Sequence, residues 1–398
     1  MVDRTSYRTV ALLACCQGLL LTNGAGLIAM TALIGYDLAP QKSLATLGAT
    51  TYVVGSALAT MPASLWMARV GRRRGFMAGA MINVAGCALA VLALLLGSFA
   101  LFCLATAVVG VYNAIGLQYR FAAAEVATPG DRAKAISLVL AGGIAGGFPG
   151  PATTVAGRDL IAGAPFAGSF VLLAGYALVA LALQWFVHVP APKVDAAAGG
   201  GRALAVIVRQ PAFIVAVMAG ALGYGLMNLL MVATPLAMSF CSHPYAQAAL
   251  VIQWHVVGMY APGLVTGHVI ARFGVLRVIV AGVLLVGACV AVALAGTTVA
   301  HFLVALVLLG VGWNFMYTGG TTLLTETYAP VEKARVQGAN DFALFATMAI
   351  SSASSGALVS SAGWERMNIG ALPVLAVVLA AVAWLARQRR GRLPAQAS

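Results

Sequence analysis

Long apolar runs, each closed by a short cluster of charge, Pro or Gly, recur along the whole chain. Read as helices of about 20 residues, the length that crosses a hydrocarbon core of roughly 30 Å, they number twelve. Between the sixth and seventh lies VPAPKVDAAAGGGRALAVIVRQ, a long stretch rich in Pro, Gly and Ala and a natural linker. The pattern predicts an all-α membrane protein of twelve transmembrane helices in two pseudo-symmetric six-helix halves. Residues 1–188 form the N-terminal half, 189–209 a cytoplasmic linker, and 210–398 the C-terminal half with a short basic tail. Arg4 and Arg8 before ALLACC resemble a lipoprotein signal ending at Cys15. The apolar stretch ahead of that cysteine is too short, and the run continues to about Tyr36, so an uncleaved first helix is expected.

Composition narrows the class. Of the 398 residues 62% are apolar and 8% charged, with a mean hydropathy of +0.96, whereas a soluble domain carries about 25% charged residues. The formal charge is +13, yet the basic side chains sit in short breaks between apolar runs instead of on one amphipathic face. Nucleic acid is therefore excluded as a partner. With the N-terminus inside, all of the 23 Lys and Arg except Lys42, Arg158 and Arg366 fall on the cytoplasmic side. That asymmetry requires an even number of crossings and both termini inside. Cys15, Cys16, Cys87, Cys103, Cys241 and Cys289 show no metal or disulfide spacing and read as packing, except that Cys241 lies outside the seventh helix.

The two halves repeat. SLWMARVGRRRGFMAG from Ser64 aligns with GHVIARFGVLRVIVAG from Gly267 at an offset of 203, and EVATPGDRAK from Glu125 with ETYAPVEKAR from Glu326 at an offset of 201. Parallel repeats of this kind build transporters that bind cargo between their halves. The two basic loops resemble the G-x-x-x-D-R-x-G-R-R signature of the major facilitator superfamily, and the likeness extends through the twelve-helix layout. Its Asp is replaced by Ala68 and Ala271, and its first Gly by Ser64 in the first half. Gating is therefore expected to use Glu125 and Glu326 against arginines such as Arg69 and Arg272. Orientation by positive charge alone is the simpler account of these loops.

Polar groups at membrane depth are costly and are functional candidates by default. In the seventh segment Met227 and Met231 are four residues apart, as are His255 and Met259 in the eighth, so each pair projects from one helix face. Counted from the outer turn near Ser239 and Tyr245 at about 1.5 Å per residue, the four interleave in a layer roughly 12–21 Å deep. Thioether and imidazole donors suit copper, especially Cu(I); methionine is equally a common core filler. Met-x-x-x-Met followed by His-x-x-x-Met resembles the CcoA-type copper importers, a bacterial branch of the superfamily with relatives that carry riboflavin.

That resemblance implies import of a copper ion across the bacterial inner membrane for cytochrome c oxidase assembly, with Met227, Met231, His255 and Met259 as ligands. Met238, Cys241 and His243 would form an outer relay. The expected protein is a monomeric secondary transporter in the lipid bilayer, with no prosthetic group and no enzymatic activity. The alternative cargo is an organic solute such as riboflavin or a drug, stacked on Tyr52, Trp254 and Tyr260. An aromatic-lined site with the sulfurs turned away would favour it. Asp341 reads either as a proton-coupling carboxylate or as a residue at a helix start. The glycines of LAGGIAGGFPGP predict close packing and a Pro kink in the fifth segment.

Overall fold

The computed structural model describes residues 4–128, 131–189 and 201–391, and among these the regular structure is helical throughout. The first six spans are α1 (Tyr7–Leu38), α2 (Lys42–Met67), α3 (Arg72–Leu95), α4 (Phe99–Val126), α5 (Lys134–Gly157) and α6 (Ala167–Gln184). The second six are α7 (Pro211–Phe240), α8 (Tyr245–Tyr260, continued after a 42° bend by Gly263–Phe273), α9 (Val275–Ala295), α10 (Val299–Thr325), α11 (Arg335–Ser361) and α12 (Gly363–Arg390). Twelve spans result when the bent pair is counted as one, as the apolar runs predict. The bend falls at Pro262, where no backbone N–H is available to continue the ladder. The expected kink in α5 lies at Gly147–Phe148, just before Pro149. Residues 190–200, most of the expected linker, lie outside the described residues.

Small residues set how closely the spans approach. Between apolar helices in lipid there is no hydrophobic drive to associate, so contact depends on close backbone packing. Gly18 and Gly26 of α1 cross Gly142, Gly146 and Gly150 of α5, where an added Cβ at Gly18 would stand 2.9 Å from the Gly142 carbonyl oxygen. Among the described residues no cysteine is bridged.

The internal repeat is structural as well as textual. Gly71 and Gly274 end the basic-loop helices with φ of 91° and 87°, a conformation that side chains other than glycine's strain to adopt. Gly110 of α4 packs on the α2 backbone between Tyr52 and Ser56, and Gly310 of α10 on the α8 backbone between His255 and Met259. Asn113 Nδ2 donates to Ser56 Oγ at 2.8 Å, and Asn314 Nδ2 to the Met259 carbonyl, also at 2.8 Å. The halves thus use the same amide to fix the same helix pair.

The halves touch at the end away from the basic loops. There Thr46 Oγ1 donates to the Ser352 carbonyl at 2.7 Å and accepts from the Gly356 N–H at 3.0 Å, joining the start of α2 to α11. Thr154 Oγ1 meets Tyr245 Oη at 2.5 Å between α5 and α8, and the Tyr36 and Phe240 rings meet edge-on at 5.4 Å between α1 and α7. Toward the basic end α2 exposes Leu58, Met61 and Leu65, and α11 exposes Phe342. The described cross-half bonds seal one end, while these α2 and α11 faces at the other end are exposed.

A Cβ at Gly310 would stand 2.7 Å from the His255 carbonyl oxygen, while one at Gly175 meets nothing within 4 Å. Gly310→Ala is expected to lower the thermal midpoint of the purified protein by the equivalent of about 1–3 kcal/mol of overpacking, and Gly175→Ala to leave it unchanged, as read by fluorescence-monitored unfolding.

Candidate functional site

Aromatic rings gather where the halves face each other. On α10, Trp313 and Tyr317 are one helical turn apart and stack with centroids at 5.1 Å and an interplanar angle of 8°. Tyr224 of α7 meets both edge-on at 5.0 and 5.6 Å, and Tyr260 of α8 approaches Trp313 at 6.1 Å. From the other half come Tyr52, within Coulombic range of Tyr224 and Tyr260, and Arg120, within range of Tyr224, Tyr260, Tyr317 and Asp341. Further toward the seal, Phe148 and Trp254 face each other across the halves at 5.7 Å.

Two donors in this cluster have no partner among the described residues: Trp313 Nε1 and Arg120 Nε, both buried. A buried N–H without an acceptor costs about 1–3 kcal/mol. A cluster of π-faces with two idle donors and a nearby carboxylate suits a planar aromatic ligand that carries carbonyl acceptors.

The sulfur and imidazole groups lie on the same helices as Tyr224 and Tyr260. Met227, Met231 and Met259 are 1%, 8% and 5% exposed and His255 is wholly buried, and the three methionines share one core cluster with Trp313 and with residues of the first half. His255 Nδ1 lies 2.6 Å from the Leu306 carbonyl oxygen, which can only accept, so Nδ1 carries the proton and Nε2 keeps a bare lone pair. Nε2 has no partner among the described residues. In the first half Tyr52, the counterpart of His255, brings its hydroxyl beside Gly24, the counterpart of Met227.

Met238, expected in an outer relay, has a fully buried side chain, and Cys241 is half-buried. His243 turns away to the start of α10, with Nε2 2.7 Å from the Thr297 carbonyl and its ring edge-on to Phe302. The carboxylates expected to gate do pair with arginines, but not with Arg69 or Arg272. Glu125 takes Arg72 at 2.6 Å, and Glu326 takes Arg389 of α12. Both pairs stay inside one half, because the guanidinium that reaches each acid sits on a helix packed in the same half. Arg69 is exposed, and Arg272 lies over the Phe273 ring at 5.5 Å. Asp341 is not at a helix start: the helix begins at Lys333, more than two turns earlier, which sets the carboxylate inside α11 near Arg120.

A further acid holds the linker. Glu332 is buried and accepts from the Arg202 side chain at 2.7 and 3.0 Å, from the Arg202 backbone N–H at 2.6 Å and from the Ala329 N–H at 2.9 Å. These bonds, the Arg202 side chain foremost, lower its pKa to about 2. Sequence reasoning missed Tyr224, Trp313, Tyr317 and this clamp. The Trp-x-x-x-Tyr spacing on α10 carries the signal that Met-x-x-x-Met carries on α7, and it was available.

Comparison with known proteins gives a consistent picture. The sequence matches the Major Facilitator Superfamily over residues 13–253 and 228–398. It is 39% identical over 382 residues to the riboflavin transporter RfnT of Brucella anthropi, covering 95% of this chain and 96% of that one. It is 28% identical to the uncharacterized MFS-type transporter YddS of Bacillus subtilis, covering 92% and 88%. In fold it is similar to a bacterial homolog of the human lysosomal transporter Spinster, solved inward-facing and unoccupied, with a TM-score of 0.75 at 13% identity over 97% and 98% of the chains. It is also similar to a point mutant of the nucleoside transporter NupG, with a TM-score of 0.67 at 16% identity over 96% and 99%. None of these names a copper carrier.

Because Glu332 is ionised when folded well below its ordinary 4.5, the clamp contributes fully above that value and is lost as pH falls toward about 2. The difference in thermal midpoint between wild type and Glu332→Gln is expected to stay constant from pH 8 to pH 5 and to shrink below about 4.

Proposed function

The chain belongs to the major facilitator superfamily and is a multi-pass membrane transporter, not an enzyme; we propose that it imports a planar aromatic solute, riboflavin being the leading candidate. The observation that carries this reading is the cluster of Tyr52, Tyr224, Tyr260, Trp313 and Tyr317 with the idle donors of Trp313 and Arg120 at the seam between the halves. The 39% identity to RfnT supports it independently. Flavin-type rings present π-faces for stacking and ring carbonyls for N–H donors. A site that holds them by stacking and a few hydrogen bonds, without covalent or metal ligation, lets cargo leave again when the halves rock.

The cargo route follows from the closed end. In the bacterial cytoplasmic membrane, with both termini inside as the basic residues require, the basic end is cytoplasmic and the present state is open inward. Asp341, set between Asn340 and the Arg120 field, is the group through which a proton or the cargo itself would bias closure of that end. Import then needs the Thr154–Tyr245 and Thr46–Ser352 contacts to break outward and the α2 and α11 cytoplasmic halves to meet.

One observation favours a copper cargo as a second reading. Among the described residues His255 Nε2 has no hydrogen-bond partner, and its helix and the neighbouring α7 carry the buried Met259, Met227 and Met231. Uptake separates the two. In cells that cannot make riboflavin, Trp313→Ala is expected to cut labelled riboflavin uptake about tenfold, the loss of roughly 1.4 kcal/mol of stacking, while His255→Ala keeps it. Undiminished riboflavin uptake in Trp313→Ala, with copper accumulation lost in His255→Ala, would reverse the assignment.

A further inference from the structure

A cavity lies at the sealed end. It is a cleft of about 450 Å³ lined by residues that include Tyr36, Asp37, Arg158, Phe166, Phe240 and Tyr245, so both halves contribute. The volume falls within the range of about 300–1,000 Å³ typical of small-molecule sites. Its chemistry repeats that of the inner cluster. The Phe166 and Tyr245 rings meet edge-on at 4.9 Å, and the Arg158 guanidinium lies over both, 5.4 and 5.8 Å from their centroids. Asp37 is exposed beside Tyr36 and supplies acceptors, which suits hydroxyl donors on a ligand.

The floor of the cleft is the seal itself. Tyr245 is the ring whose hydroxyl bonds Thr154, and the Tyr36–Phe240 pair crosses from α1 to α7. A ring lodged there touches the groups that must separate for the outer end to open. We propose that this cleft is a second binding site for the transported solute, one that receives a planar aromatic molecule with hydroxyl substituents above the closed seal before it passes to the seam. The inference rests on the organic-solute reading and adds to it an outer station with its own residues. Because the lining comes from both halves and its rings are paired across the seam, a ligand in the cleft is bound best in the sealed state and is released inward as the outer end opens.

Equilibrium dialysis of the purified full-length protein against riboflavin, with bound flavin counted per chain, tests this. Wild type is expected to bind two equivalents. Asp37→Asn combined with Arg158→Ala, and separately Ser239→Trp, which fills the cleft from α7, should each lose one equivalent and keep the other. Trp313→Ala should lose the complementary one, and the retained equivalent in each case shows that the variant is folded. A single equivalent in wild type, abolished by Trp313→Ala and untouched by the cleft variants, overturns the second site and leaves the organic-solute reading standing. No bound flavin in wild type overturns both.

Discussion

The cost of an unpaired polar group in lipid governs this molecule. With 8% of its residues charged, the chain can span a bilayer twelve times only because each backbone is satisfied within its own helix and each polar side chain finds a protein partner. Threonines answer this by bonding back to the preceding turn, as Thr31, Thr50 and Thr234 do. Asn83 and Asn23 pair with each other at 2.9 Å between α3 and α1. Eleven buried side-chain atoms among the described residues escape this rule, and three of them, Trp313 Nε1, Arg120 Nε and His255 Nε2, sit where cargo chemistry is conceivable. An idle donor marks a site only where other features converge on it, as the stacked rings do at Trp313.

That same constraint made the fold readable and the site less so. Apolar runs and charged breaks are direct consequences of bilayer thickness, so the twelve spans followed from the pattern, and the repeat at offsets of 203 and 201 reappears as matched glycine conformations and matched asparagine bonds. Aromatic residues inside an apolar helix break neither the period nor the charge pattern. Tyr52, Trp254 and Tyr260 were legible because they neighbour the His255 segment or its repeat. Tyr224, Trp313 and Tyr317 were not singled out because their significance lies in contacts between helices far apart in sequence. Arg120 was not singled out, since nothing in the apolar run announces the break at Leu117–Gln118 that carries it onward into the same span. Asp341 was misplaced for the opposite reason. The helix starts in the polar stretch from Lys333, before any apolar run is visible.

The halves divide their labour unevenly. Both use Gly and Asn to fix the α2–α4 and α8–α10 pairs, yet the second half adds the buried imidazole, the methionines and most of the aromatic cluster. The first half contributes the cation, Arg120, and the aromatic face of Tyr52. A cargo held at the seam therefore contacts both halves at once, which is what allows its arrival to shift the balance between the sealed and parted ends. The ion pairs at the basic end, Arg72–Glu125 and Arg389–Glu326, stiffen each half without tying one to the other, so closure there is left to the seam.

The most direct test of the seam as the cargo site is a cryo-electron microscopy structure of the full chain with saturating riboflavin. Planar density is expected stacked against Trp313 and Tyr317 and within reach of Tyr52 and Arg120, with His255 and its neighbouring methionines unchanged. An empty seam under saturating riboflavin, together with a single strong peak at His255 Nε2 when the chain is instead loaded with copper, would contradict it.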